Sequence, residues 1–159
     1  MISVILTAGD DARGLSRLLT ALVPGAAHAL IRGVAVVGAA GLSWEIADDA
    51  GADLYDAGAF AEAYADAKGP WVAGLPLGAD LETGWVETLT THVNREPPTP
   101  ARLVSASGGI TLRARPEGWL APKRLAGSAV AAEQDLQRIA RVRGSRALRI
   151  LSLHALRRR

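Results

Sequence analysis

Apolar residues fall in short clusters along the chain, and their spacing switches between two periods. Ile2 to Leu6 is a run of β-branched character, closed by the polar turn Thr7-Ala-Gly-Asp-Asp11. Leu15, Leu18, Leu19 and Leu22 then recur at i, i+3, i+4 and i+7, which places them on one face of a helix. Pro24-Gly25 is expected to end that helix. Val34 to Val37 reads as a second strand running into Gly38-Ala-Ala-Gly41. Ser43 is placed to cap a helix that turns Ile46, Ala47 and Ala50 inward and closes at Gly51. Asp53 to Asp56 reads as a third strand. The alanine-rich segment Ala59 to Lys68 reads as a helix by propensity, with Phe60 and Tyr64 on one face.

Trp71 to Trp85 reads as a buried strand, a turn over Pro76 to Asp80, and a helix starting near Glu82. Trp85, Val86, Leu89 and Val93 continue at helical spacing. Glu96-Pro-Pro-Thr-Pro100 forces an extended link. Arg102 to Ala106 and Ile110 to Ala114, separated by Ser107-Gly-Gly109, predict a β-hairpin. Trp119 to Leu125 reads as a connecting element, and Val130 to Val142 as a helix with Leu136, Ile139 and Ala140 inward. Ala147 to Leu151 reads as a strand, with frayed residues after it. Strands alternating with helices predict an α/β fold: a mostly parallel sheet with helices on both faces, finished by a C-terminal hairpin.

Composition narrows the chemistry. The chain has 159 residues, 49% of them hydrophobic, and no cysteine. A chain of this length buries roughly 68–70% of its unfolded surface and needs no staple. The lack of cysteine excludes disulfides, thiolate catalysis and zinc knuckles. Nothing at the N-terminus has the pattern of a signal peptide, and no apolar run nears the ~20 residues that span a bilayer. The expected location is therefore cytoplasmic, with the inner-membrane surface as a peripheral site.

Charge is uneven. Residues 1–135 carry ten Lys and Arg against sixteen Asp and Glu, a net −6, whereas residues 136–159 carry eight arginines and no acid, a net +8. The end of the chain from Ser145, where neither period sorts leucines from arginines, is set apart as a basic C-terminal tail, 145–159, from a body, 1–144. It points to an anionic membrane surface or an acidic protein as partner; nucleic acid is the less expected one.

Motifs add a resemblance. Ile2-Ser-Val-Ile-Leu-Thr-Ala-Gly-Asp-Asp-Ala12 is similar to an opening strand and Pro-Thr-x-Asn-Glu turn, with Asp10 in place of the Asn. Arg32 to Val37 followed by Glu45 to Ala52 is similar to the second strand and its helix. Trp71 to Trp85 has the length of a strand, an Asp-x-Asp turn and a Gly-Trp ending. In these features the chain resembles the family-2 glycosyltransferases of GT-A fold, in particular small bacterial members, best over residues 1–91.

The resemblance implies transfer of a sugar from a nucleotide-diphosphate donor to a polysaccharide or lipid-linked acceptor. The nucleotide-sugar would contact the turn at Ala8, Asp10 and Asp11. The carboxylate that holds the base falls on Gly38, and the pair that binds the divalent cation falls on Pro76 and Gly78, with Asp80 the nearest surviving acid. Ala61 and Ala63 replace the family's Asn-x-Gly, and its arginine has no counterpart in Asp56-Ala-Gly58. Ala132-Glu-Gln-Asp-Leu136 is similar to the Glu-Asp motif of the general base, making Glu133 the first candidate and Asp135 the second.

A diphosphate leaving group needs a cation, arginines or helix N-termini to take up its charge, and proline and glycine supply none. The expectation is a weakly active or inactive relative, with no resident cofactor and with Mn²⁺ or Mg²⁺ required only if it is active. The alternative is a non-catalytic scaffold or regulator that binds an anionic surface or partner through its arginine-rich end. A further alternative is a nucleotidyltransferase, with Arg13 at its phosphate loop. His28, His92 and His154 are too scattered to suggest a metal site, and Ser105 and Ser107 lie outside any Gly-x-Ser-x-Gly elbow. Trp71 and Trp85 are expected in the core, Trp44 and Trp119 at partly exposed positions after loops.

Overall fold

The computed structural model describes residues 1–105, 118–126, 133–140 and 146–153. In chain order its elements begin with β1 (Ile2–Thr7), α1 (Ala12–Ala27), β2 (Ile31–Val37), α2 (Leu42–Asp49), β3 (Asp53–Tyr55), α3 (Phe60–Asp66) and β4 (Trp71–Gly74). They continue with β5 (Ala79–Leu81), α4 (Trp85–Val93), β6 (Ala101–Ser105), β7 (Gly118–Pro122), α5 (Lys123–Ala126), α6 (Glu133–Ile139) and β8 (Arg146–Leu153).

β1 turns Ile2, Val4 and Leu6 toward one core and Ile5 toward another, and β4 divides Trp71 and Ala73 from Val72 in the same way. A strand apolar on both sides belongs inside a sheet covered on both faces. Accordingly β1 lies between β2 and β4, parallel to both, with β3 parallel beyond β2. The first core takes Leu15, Leu18 and Leu22 of α1, Ala47 of α2, and Trp85 and Leu89 of α4. The second takes Phe60, Ala63 and Tyr64 of α3 and Leu136 of α6.

The full order is β3-β2-β1-β4-β7-β6-β8-β5. β7 is antiparallel to both β4 and β6, and β8 is parallel to β6 and antiparallel to β5. The expected mostly parallel α/β sheet with helices on both faces is present, and β6 pairs antiparallel with β7; the hairpin expected of Arg102 to Ala106 with Ile110 to Ala114 has its second arm outside the described residues. Among the described residues no helix is long and apolar enough to cross a membrane.

Four local expectations are corrected. The first helix does not end at Pro24-Gly25 but runs through them to Ala27. Proline in a helix interior forfeits one backbone bond; packing holds the helix nonetheless, because Gly25 is buried beneath Trp85. A Cβ at Gly25 would fall 2.4 Å from Trp85 Cη2 and 2.7 Å from Ile31 Cγ1. Gly25→Ala is therefore expected to destabilise the fold by about 1–3 kcal/mol, reversing the roughly 1 kcal/mol gain of an unhindered helical site. A urea midpoint equal to or above that of the parent chain would contradict this packing.

Second, α2 is capped by Gly41 at φ 54°, and Ser43 sits inside the helix, buried, with its Oγ unpartnered among the described residues. Third, the turn after β4 is shorter than expected. Ala79–Leu81 is a strand paired with β8, the Glu82 N–H bonds the Ile150 carbonyl at 2.8 Å, and α4 starts only at Trp85, after Gly84 at φ 82°. Fourth, Gly118–Pro122 is a buried strand between β4 and β6, and Trp119 is 1% exposed. Trp44, Trp71 and Trp85 take the positions expected of them, the first exposed and the other two buried.

Candidate functional site

The chain leaves β1 toward β2 and β3 on one side and later returns to place β4 on the other. Such a reversal opens a crevice outside the carboxyl ends of the strands. Thr7 ends β1 at this crevice, and Glu133 opens α6 above it. Thr7 Oγ1 donates to Glu133 Oε2 at 3.2 Å, and the Trp119 indole N–H donates to Glu133 Oε1 at 3.2 Å.

The indole is positioned by glycine. Gly74 pairs across the ladder with Trp119, and a Cβ at Gly74 would fall 2.3 Å from Trp119 Nε1. A Cβ at Gly118 would fall 2.6 Å from the Gly74 carbonyl oxygen. Phe60 adds an edge-on contact to Trp119 at 6.3 Å. Strands β1 and β7 thus fix the carboxylate of α6. Each Glu133 oxygen accepts one bond and keeps a second lone pair, the capacity a general base needs toward an incoming hydroxyl. Asp135 lies two residues further along α6.

The other anticipated residues separate. Ala8 is buried, and its N–H bonds the Val37 carbonyl at 3.1 Å. Asp10 is exposed. Asp11 caps α1, its Oδ1 accepting from Gly14 N at 2.9 Å. That contact occupies an N–H which a phosphate loop would need, and Arg13 beside it is exposed.

Gly38 takes φ 70° and bonds the Tyr55 carbonyl at 2.9 Å. With Trp44, Tyr55, Asp56 and Glu62 it lines a cleft of ≈ 390 Å³ beyond β2 and β3. The two carboxylates in this cleft, Asp56 and Glu62, were not singled out from sequence; three residues of β3 carry Asp56 to the same sheet end as Gly38. The Tyr55 phenol is pushed up to about 12 by burial and then by its 3.0 Å hydrogen bond to Asp66, so it stays neutral.

Pro76 and Gly78 form the turn after β4, closed by Ala79 N to Pro76 O at 3.1 Å. Asp80 lies beyond it in β5, where Arg17 Nη2 contacts Oδ1 at 2.5 Å. Thr7, Ala8, Gly38, Pro76 and Gly78 therefore share the carboxyl end of the sheet with Glu133, while Asp11 and Asp80 are engaged by α1. A divalent cation is not matched by this donor set: the turn offers no side-chain oxygen and the nearest acid holds a guanidinium. Among the described residues no group of three or more His, Asp or Glu is placed to hold a metal ion. His28 is exposed, His92 is buried at the opposite edge of the sheet, and His154 lies outside the described residues.

No family model and no curated protein matches the sequence. Solved structures do match. Glucosyl-3-phosphoglycerate synthase from Mycobacterium tuberculosis, in complex with Mn²⁺, UDP and phosphoglyceric acid, superimposes with a TM-score of 0.63 at 15% identity over 79% of this chain and 57% of that one. S. aureus TarS 1-349 gives 0.66 at 13% identity over 96% of this chain and 60% of that one. The fold is of the GT-A type. The same mycobacterial synthase with Mn²⁺ and UDP-glucose gives 0.66 at 15% identity over 100% of this chain and 72% of that one. Identities this low carry the GT-A fold alone. In the first two comparisons the chain spans about three fifths of its counterpart.

Proposed function

We propose that this GT-A chain is a glycosyltransferase-like protein that retains the acceptor-side carboxylate, Glu133, and has little or no sugar-transfer activity. One observation carries the reading. The turn after β4 ends in Pro76 and Gly78, and Asp80 is held by Arg17 in β5. Nothing in that turn takes up the charge of a departing diphosphate, and such groups leave at useful rates only when their charge is met. The Mn²⁺- and UDP-bound synthase of the same fold supports a nucleotide-sugar as the ancestral ligand class.

Calorimetric titration with UDP- and GDP-sugars, with and without Mn²⁺, tests it. No metal-dependent heat is expected. Micromolar binding that requires Mn²⁺ would overturn the reading.

A second reading rests on the exposed Arg146 and Arg149 of β8, which precede Arg157 to Arg159 in sequence. In it the scaffold contacts an anionic membrane surface or acidic partner peripherally, without catalysis.

A further inference from the structure

At the end of the sheet opposite the crevice, where β4, β6 and β8 begin, a proline-rich link joins α4 to β6. Pro97, Pro98 and Pro100 have no N–H, so the link has few backbone donors with which to fasten itself. The Thr99 hydroxyl donates to the Pro97 carbonyl at 3.0 Å, a bond internal to the link. Among the described residues one hydrogen bond ties residues 96–99 to the rest of the fold: His92 Nε2 lies 2.8 Å from the Thr99 carbonyl oxygen. A carbonyl only accepts, so Nε2 carries the proton. The link is therefore held by a side chain that titrates.

The site suits only the neutral ring. His92 is 3% exposed, lies in the last turn of α4 and packs edge-on to Trp71 at 5.6 Å. With Nε2 donating, Nδ1 is a bare acceptor, and it is buried with no partner among the described residues. Protonation turns Nδ1 into a donor with nothing to receive its bond, on a charged ring shut off from water. The neighbouring charges do not compensate. Along α4, Glu87 is exposed and makes no bond to the ring, and Arg95 just beyond the helix has the wrong sign, as has Arg146 of β8. On the Trp71 side, Glu96 of the link shares a cavity with Lys123 and Arg124. The C-terminal end of α4 favours a cation, yet the net effect is opposite. Burial pushes the imidazole below its ordinary pKa, the Thr99 carbonyl opposes this, and Arg146 and Arg95 add to the lowering.

We propose that His92 is an acid-sensitive tether: neutral, it holds the link against α4 and Trp71, and once protonated it leaves its site and lets the link go while the sheet stays folded. The release is local because the flanking elements have other anchors. α4 keeps Trp85 and Leu89 in the first core, and β8 keeps Ile150 and Leu151. What loosens is the last turn of α4, the link, and the first residue of β8, whose N–H bonds the Pro100 carbonyl at 3.3 Å. Segments with few buried contacts are the ones that open separately from the whole.

The direction with pH follows from the proton balance. The ring's pKa is lowered in the closed form and ordinary, about 6.5, in the released one. Release therefore takes up a proton. The closed form is favoured fully above about pH 6.5, loses about tenfold per pH unit as pH falls toward the closed ring's own pKa, and loses no more below it.

Amide hydrogen exchange of the full chain between about pH 7.5 and about pH 5, corrected for the intrinsic pH dependence of exchange, tests this. Protection of the Asn94, Arg95 and Arg146 amides is expected to fall on acidification by about tenfold per pH unit in that window, while Val4 and Leu6 of β1 keep theirs. His92→Gln, which does not titrate and retains an amide N–H for Thr99, should hold the three amides level across the range. Arg146→Gln, at an exposed position, removes one repulsion, so its loss of protection should stop at a higher pH than in the parent chain. Three results would overturn the tether: protection at the three amides that is flat with pH in the parent, the same loss in His92→Gln, or Val4 and Leu6 losing protection in step with them.

Discussion

Trp119→Ala is expected to lower stability by about 3–5 kcal/mol, a large part of the 5–15 kcal/mol available to a typical domain. The indole is 1% exposed, so its whole transfer free energy is at stake together with the cavity it would leave. The surrounding backbone cannot close that cavity easily. Gly74 and Gly118 have no side chains to move in, and the space a Cβ at Gly74 would take is filled by the ring itself. Trp119→Phe keeps an aromatic ring but loses three heavy atoms together with the N–H that reaches Glu133 at 3.2 Å, so a smaller cavity and the lost hydrogen bond act together, for an expected loss of about 2–3 kcal/mol. Gly74→Ala probes the same contact from the other side and should cost about 1–3 kcal/mol by overpacking. Urea unfolding followed by circular dichroism measures all three. A Trp119→Ala midpoint within about 1 kcal/mol of the parent chain would mean that the ring does not hold β4 and β7 together.

Trp119 also marks the limit of what the sequence made legible. β1, β2, β3, α3, β4 and α4 follow from local signals: a short apolar run, a helical spacing of leucines or aromatics, an alanine-rich stretch. The period of each is complete within its own segment. β5 and β7 have no such signal. β5 is three residues whose partner, β8, comes at the far end of the described chain, and β7 lies between β4 and β6, both from earlier parts of the chain. The environment of Trp119 is created by a glycine from β4, so local reading placed it at a loop. Pro24 was misleading for a related reason, since the tertiary contact of Gly25 with Trp85 prevailed over a local breaker.

The candidate site divides in the same way. Glu133 was visible through a motif, and so were the missing acids at Gly38, Pro76 and Gly78. Its two donors, Thr7 and Trp119, were not visible, because three distant segments meet only in the folded sheet. The engagement of Asp80 by Arg17 likewise depends on β5 packing beside α1. Sequence could say which carboxylates were present; only the fold says which of them already have an occupation.

Ending the chain after residue 145 is expected to abolish cooperative folding, whereas ending it after residue 153 should leave the fold intact. Removing a basic tail taken to start at residue 145 would cut off β8. That strand lies inside the sheet, between β6 and β5, with Ile150 and Leu151 fully buried. Each such side chain contributes about 1.5–3 kcal/mol. Without β8, moreover, β5 has no strand partner and β6 is left with an open edge. The sum is comparable to the stability of a whole domain. Removing residues 154–159 instead subtracts three arginines and no acid, taking the net charge from +2 to −1. Arginine near an anionic bilayer contributes about 1 kcal/mol, so sedimentation with anionic vesicles at low salt should weaken by roughly two orders of magnitude. The pair of truncations thus separates two roles that the sequence places side by side. A cooperative melt for the chain ending at 145 would show that β8 is dispensable to the sheet, and unchanged vesicle binding by the chain ending at 153 would remove the terminal arginines from any membrane contact.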